Sequence, residues 1–267
     1  MNFAQLLRAA RLAPVAIMAL SVWTPAAGAG GTVASLDDAV APGWSVVMQA
    51  KGDLNKDGLP DIAAAIEADA AGGRANTCTD GEAGSNEHER ELLVLLQQPD
   101  GTYEIAVKDY KVLARRGQGG ANEPDPLSGL SIDRGSLVVA ISYGGGGHWG
   151  GETARFRLNP SGWEMIGYTW QSLDTRQGPE LTYDYDPLTA KMQMTVNPEG
   201  LKAKTRYCVR CRVDKNCPAK GDCQKGYKSQ KTGETSYRVD KKPLVKLADF
   251  RCWQETIGLF THTGFTR

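Results

Sequence analysis

The chain has 267 residues, with 31 Lys and Arg against 31 Asp and Glu and 41% hydrophobic side chains. That is enough for one large domain with a sizeable core, and a net charge of zero gives no overall attraction for nucleic acid or any other charged partner. The charge is unevenly spread, with residues 53–91 acidic and residues 202–246 basic.

In chain order, Arg8 and Arg11 precede an apolar run from Leu12 to Trp23, then Thr24, Pro25 and the small residues Ala26 to Gly30. This is the three-part form of a secretory signal peptide, with Ala27-Gly28-Ala29 as the cleavage site, so residues 1–29 are expected to be removed. The run is too short to span a bilayer, and no later segment is long and apolar enough to do so. No Cys follows it, which argues against a lipid anchor. The expected location is the periplasm or outside the cell, where thiols oxidise. Residues 30–267 are expected to form a single β domain.

Gly52 to Ile62 read G-D-L-N-K-D-G-L-P-D-I. A hard cation such as calcium takes six to eight oxygen ligands, and a D-x-N-x-D-G-x-x-D run supplies them by wrapping the chain around the ion. The expected ligands are the side chains of Asp53, Asn55, Asp57 and Asp61 and the carbonyl of Leu59. Gly58 allows the tight turn. An EF-hand would need a Glu at the twelfth position, which here is Ala64. The alternative is a bare polar turn between apolar runs, closing without an ion.

Strand signals dominate the rest of the chain. Trp44 to Met48 leads into the loop and Asp61 to Glu67 leaves it, although three alanines after Pro60 also suit a short helix. Asp69 to Arg90 reads as a long polar loop. Glu91 to Gln97 and Tyr103 to Ala114 flank a P-D-G-T turn, and Gly117 to Ser128 is again loop. Short strands are expected at Ser131 to Asp133, Leu137 to Tyr143, Ala154 to Leu158, Trp163 to Trp170, Leu181 to Tyr185 and Lys191 to Val196. A final strand block spans Ser236 to Leu247, with Pro243 breaking it or marking an edge. The fold class is all-β with little helix, built of antiparallel hairpins in a partial β-propeller-like or sandwich-like arrangement.

Tyr143 to Gly151 read Y-G-G-G-G-H-W-G-G. No Lys-Ser or Lys-Thr follows, so a phosphate cradle is not indicated. The glycines are expected to form a flexible turn with Tyr143 and Trp149 packed on the sheet. The sharper reading makes Tyr143, His148 and Trp149 a ligand surface for a sugar or a partner protein. Cys208, Cys211, Cys217 and Cys223 cluster in a basic, Cys-rich excursion over about residues 202–235, with Cys78 and Cys252 apart. Disulfides suit an exported chain, and a tetrathiolate zinc site is the alternative. Six cysteines allow 15 pairings; two bridges within the cluster and one between Cys78 and Cys252 is the arrangement expected.

The loop at Asp53–Asp61 with the apolar Ala63 to Ile66 resembles the FG-GAP or VCBS-type repeats of integrin-like β-propellers and of many secreted bacterial proteins. The resemblance implies calcium bound by Asp53, Asn55, Asp57, Asp61 and the Leu59 carbonyl. The motif occurs once in the chain. No catalytic residues are assigned: the three histidines are scattered and no G-x-S-x-G elbow is present. The functional expectation is an exported calcium-binding interaction module at the bacterial cell envelope, of which an inhibitor or immunity-type protein is one form, with a protein or envelope glycan as partner. The alternative is a secreted calcium-dependent hydrolase or lyase acting on an envelope polymer. Oligomeric state has no signal in the sequence.

Overall fold

The computed structural model describes residues 30–72, 88–122, 124–174, 180–197, 205–208, 223–226, 233–238 and 241–250, with the backbone alone for 174, 205–208, 223–226, 233, 235 and 237. The expected signal peptide, most of the basic excursion, and Cys78, Cys211, Cys217 and Cys252 lie outside the described residues.

The elements are β1 (Thr32–Val33), α1 (Leu36–Ala39), β2 (Trp44–Gly52), β3 (Asp61–Ala71), β4 (His88–Gln97), β5 (Tyr103–Asp109), β6 (Leu127–Asp133), β7 (Ser136–Gly145), β8 (His148–Asn159), β9 (Gly162–Asp174), β10 (Glu180–Asp186), β11 (Lys191–Asn197), β12 (Thr205–Cys208), β13 (Cys223–Gly226) and β14 (Gly233–Arg238). A short 3-10 turn covers Leu247–Asp249. Two antiparallel sheets carry the fold. One has the order β1-β5-β4-β3-β2, the other β14-β11-β10-β9-β8-β7-β6, and β12 pairs with β13 separately. The expected all-β fold with little helix is what forms, and of its two expected arrangements the sandwich-like one describes it.

One hydrophobic core is shared by the two sheets. It joins Ala63, Leu92 and Val94 of the smaller sheet to Leu137, Val139, Phe156 and Tyr183 of the larger. β3 and β4 are buried on both faces: Ala64, Ile66 and Leu93 form a second cluster against Leu36, Val40 and Trp44. Strands covered on both sides read as unbroken apolar runs, hence A-A-A-I and L-L-V-L-L. The alanines do not form a helix, because pairing with β2 and β4 satisfies their backbone and overrides their helix propensity.

The strand expected over Tyr103 to Ala114 stops at Asp109, whose carboxylate accepts the N–H groups of Lys111 at 2.7 Å and Val112 at 3.0 Å and turns the chain. Val112 and Leu113 then enter the shared core. The last expected strand block is also divided. β14 ends at Arg238, and beyond Pro243 the Val245 carbonyl accepts the N–H of Met165 at 2.8 Å.

The long connection between the sheets is anchored by a buried arginine. Arg90 on β4 is 1% exposed, and its guanidinium donates to both oxygens of Asp125 at 2.7 Å, to Glu67 at 2.7 Å and to the Ala114 carbonyl at 3.0 Å. Glu67 is its cross-strand partner on β3 and also pairs with Arg116 at 2.6 Å. Asp125 in turn accepts the N–H of Leu127, the first residue of β6. Burial pulls the Arg90 pKa down, but the Asp125 and Glu67 carboxylates outweigh it and hold the group firmly charged. The Arg90 hydrogen bond chiefly, with its charge, holds the Asp125 carboxyl below its ordinary range.

Breaking a buried ion network at one member leaves the others uncompensated, so Arg90→Ala should cost about 3–5 kcal/mol in chemical denaturation. Asp125 has a depressed pKa in the folded protein, so its contribution is complete above the ordinary carboxylate pKa and is lost as pH falls through the depressed value. Asp125→Asn should therefore flatten the acid limb of the stability curve, and an unchanged limb would show that the pair contributes no pH-dependent stability.

Candidate functional site

The loop between β2 and β3 closes on its own side chains. Asp53 accepts the N–H of Lys56 at 2.6 Å and of Gly58 at 3.0 Å, Asn55 accepts that of Asp57 at 3.1 Å, and Asp57 accepts that of Leu59 at 2.8 Å. The Asn55 amide donates to the other Asp57 oxygen at 2.8 Å. Asp61 is fully buried, and its two oxygens accept the N–H groups of Leu54 at 2.7 Å and of Gln97 at 2.9 Å. It therefore clamps the start of the loop to its end and to β4, while Leu54 enters the shared core.

Burial raises the Asp61 pKa most. The N–H groups of Leu54 and Gln97 oppose that shift, and the negative charge of Asp57 adds to it. Among the described residues no three His, Cys, Asp or Glu side chains gather into a metal-holding group. The donor set fits a hard cation in kind: Asp53, Asn55 and Asp57 present oxygens on the exposed side, and each accepting oxygen retains a second lone pair. Asp61 differs from the sequence expectation in having a structural task of its own.

The second feature lies on the larger sheet. Gly144 and Gly145 end β7, Gly150 and Gly151 belong to β8, and only Gly146 and Gly147 form the turn, at φ values of 58° and 87°. Two successive positive φ angles give the tight hairpin whose twist matches the strands. The expected flexible glycine turn is thus mostly strand. The glycines inside the strands make room for aromatic rings. Tyr143 lies opposite Gly150 and Trp149 opposite Gly144. A Cβ at Gly150 would come within 2.3 Å of the Tyr143 ring, and one at Gly144 within 2.7 Å of the Trp149 ring.

Strand alternation sends these two rings to opposite faces. Tyr143 packs on the core side, where its hydroxyl accepts the Trp170 indole N–H at 2.8 Å. Trp170 stacks on Tyr183 with ring centroids 5.1 Å apart, and the nearby Tyr168 hydroxyl donates to the buried Glu152. Trp149 is on the other face and 39% exposed. His148 is exposed at the head of β8, one residue out of phase with Trp149. The joint surface expected of Tyr143, His148 and Trp149 does not form; Trp149 alone of the three borders the cavity on that face.

That cavity is an open trough of about 300 Å³. Its floor is the bare backbone of Gly151, which stands between Trp149 and Thr153 along β8 and between Ser142 and Gln171 across the sheet. Four side chains surround a position that has none. Glu180 closes one end beside Leu173 and is committed to the Asn197 amide at 3.1 Å. The signal in the sequence was the second glycine of W-G-G-E-T, legible only once the register is known.

No family model, curated protein or solved structure matches this chain. The chemistry of these two sites is therefore read from their own residues.

Substituting Gly150→Ala forces a methyl group into the Tyr143 ring and should destabilise the protein by about 1–3 kcal/mol. Adding Tyr143→Ala should make the loss much less than the sum of the single variants, because the clash disappears. Additive losses in urea unfolding would mean that the ring is not seated on the glycine.

Proposed function

We propose that the protein is an exported, calcium-stabilised interaction module of the bacterial cell envelope, working in the periplasm or outside the cell, with its partner received on the outer face of the larger sheet. The observation that carries this reading is the exposed Trp149, held against Gly144 at the rim of a trough. A large amphipathic ring fixed before binding contributes contact area at little entropic cost. The Glu180 carboxylate at one end of the trough is engaged by the Asn197 amide, which favours binding over hydrolysis. No helix among the described residues is long and apolar enough to cross a membrane.

Asp53, Asn55, Asp57 and the Leu59 carbonyl would hold the calcium, with Asp61 joining them or supporting them from behind. The ion supplies positive charge among carboxylates that repel one another; it is a stabiliser, not a reagent. Envelopes prepared from cells should retain the full chain in calcium, and Trp149→Ala should reduce that retention. Equal retention of both forms would remove the outer face from the proposal.

Calcium binding has its own test. An affinity near 0.1 mM is ordinary for an extracellular module, so about 1 mM free calcium should add about 1.4 kcal/mol and raise Tm by about 2–4 °C, with no shift in Asp57→Ala. Because the Asp61 pKa is raised, its ionisation opposes folding as pH rises through the folded value, and calcium relieves that cost. The calcium-dependent shift should consequently shrink as pH falls through the same range. A pH-independent shift would detach Asp61 from the metal.

For the cysteines, the backbone register sets Cys208 directly opposite Cys223 on β12 and β13. Opposed residues of an antiparallel pair have Cα atoms about 4.5–5.5 Å apart, within the range a disulfide spans. A Cys208–Cys223 bridge is expected in peptide mapping of the unreduced protein. Finding Cys208 linked to Cys211, or zinc bound to four reduced thiols, would replace it.

A further inference from the structure

We propose that the trough beside Trp149 binds a short stretch of an uncharged glycan, and this rests on the reading of the protein as an interaction module. Three properties of the trough select that ligand. One wall is the Trp149 indole, a ring type that stacks on the apolar C–H side of a sugar. The facing walls carry Ser142, Thr153 and Gln171, whose hydroxyl and amide groups both donate and accept hydrogen bonds, as sugar hydroxyl groups require. Among the described residues the lining holds no Lys, Arg or His side chain, and the Glu180 carboxylate stands at one end, so phosphate, uronate and other anions meet no countercharge there.

Size and shape narrow the ligand further. At about 300 Å³ the trough is at the small end of ligand pockets, about 300–1,000 Å³, and it is open rather than enclosed. It suits one or two sugar units of a longer chain that continues across the sheet. The bare backbone at Gly151 lets a flat ring sit low between Trp149 and Thr153. A side chain there would begin with a Cβ only 3.2 Å from the Ile141 carbonyl oxygen. Trp149 is already seated on Gly144, so the stacking platform needs no rearrangement when a sugar arrives.

The test is isothermal titration of the full oxidised chain in calcium with a panel of tetrasaccharides. The neutral members are β-1,4-glucose, α-1,4-glucose, mannose and N-acetylglucosamine oligomers, and the acidic comparators are oligouronates. At least one neutral oligomer should titrate saturably with an affinity insensitive to added salt. Trp149→Ala should weaken it about tenfold or more. Ser142→Phe, which fills the trough from the solvent side without entering the core, should do the same in a chain whose Tm matches wild type. The proposal is overturned if no neutral oligomer binds, if the oligouronates bind better, or if both variants bind as wild type does. Trp149-dependent retention on envelopes without any oligosaccharide binding would overturn the glycan and leave the interaction module standing, whereas loss of both would overturn the two together.

Discussion

A guanidinium buried to 1% exposure is the constraint on which the arrangement of this protein depends. Arg90 lies on the smaller sheet, yet its strongest partner, Asp125, lies at the threshold of the larger one. A charge in that position is tolerable only when its donors are met, and acceptors from three separate segments meet them. The connection from Tyr110 to Pro126 cannot drift without exposing that charge to an apolar interior. An apolar residue at position 90 could pack as densely, but it would not choose one path for the connection. Specificity of path is the physical reason for accepting a charge there.

From Arg90 the constraint passes outward. With Asp125 fixed, Pro126 accepts the N–H of Ser142, Gly119 accepts that of Gly144, and the Gly144 carbonyl accepts that of Asn122. The connection thus extends the edge of the larger sheet past β6 and holds the end of β7. Gly120 approaches so closely that a Cβ on it would lie 2.5 Å from the Gly144 oxygen. Gly144 is the seat of Trp149. An internal ion network and an exposed aromatic ring are therefore joined through three hydrogen bonds and two glycines, which tie the glycine-rich hairpin to the connection.

The strands were legible in the sequence because burial writes a period into them. Leu137, Val139 and Ile141 alternate with Val138 and Ala140, and the doubly buried β3 and β4 appear as continuous apolar runs. Turn chemistry marked Arg134-Gly135 and Pro99-Asp100-Gly101 correctly as hairpins. The trough was not legible, since it depends on which residue faces Gly151 across two neighbouring strands, and that is a matter of register rather than of local pattern. Tyr143 and Trp149 look like equals in the sequence. Six positions apart across a two-residue turn, they fall on opposite faces. Arg90 read as part of a polar loop because nothing local announces that Glu67 and Asp125 converge on it.

The loop at Asp53–Asp61 shows how a metal motif and a bare turn differ by less than their sequences suggest. The loop's own side chains accept the short-range N–H hydrogen bonds that define a turn, so a metal motif and a bare turn share their closure. What closure leaves behind is a buried carboxyl: burial chiefly raises the Asp61 pKa, and the negative charge of Asp57 adds to that shift. Leu54, whose N–H Asp61 accepts, sits in the core common to both sheets, and the Asp53 carbonyl oxygen lies 3.5 Å from where a Cβ on Gly135 of the β6–β7 turn would stand. Relief of that charge by the proposed calcium would act on the joint between the sheets as well as on the loop. A cation at this point would accordingly stabilise the whole sandwich.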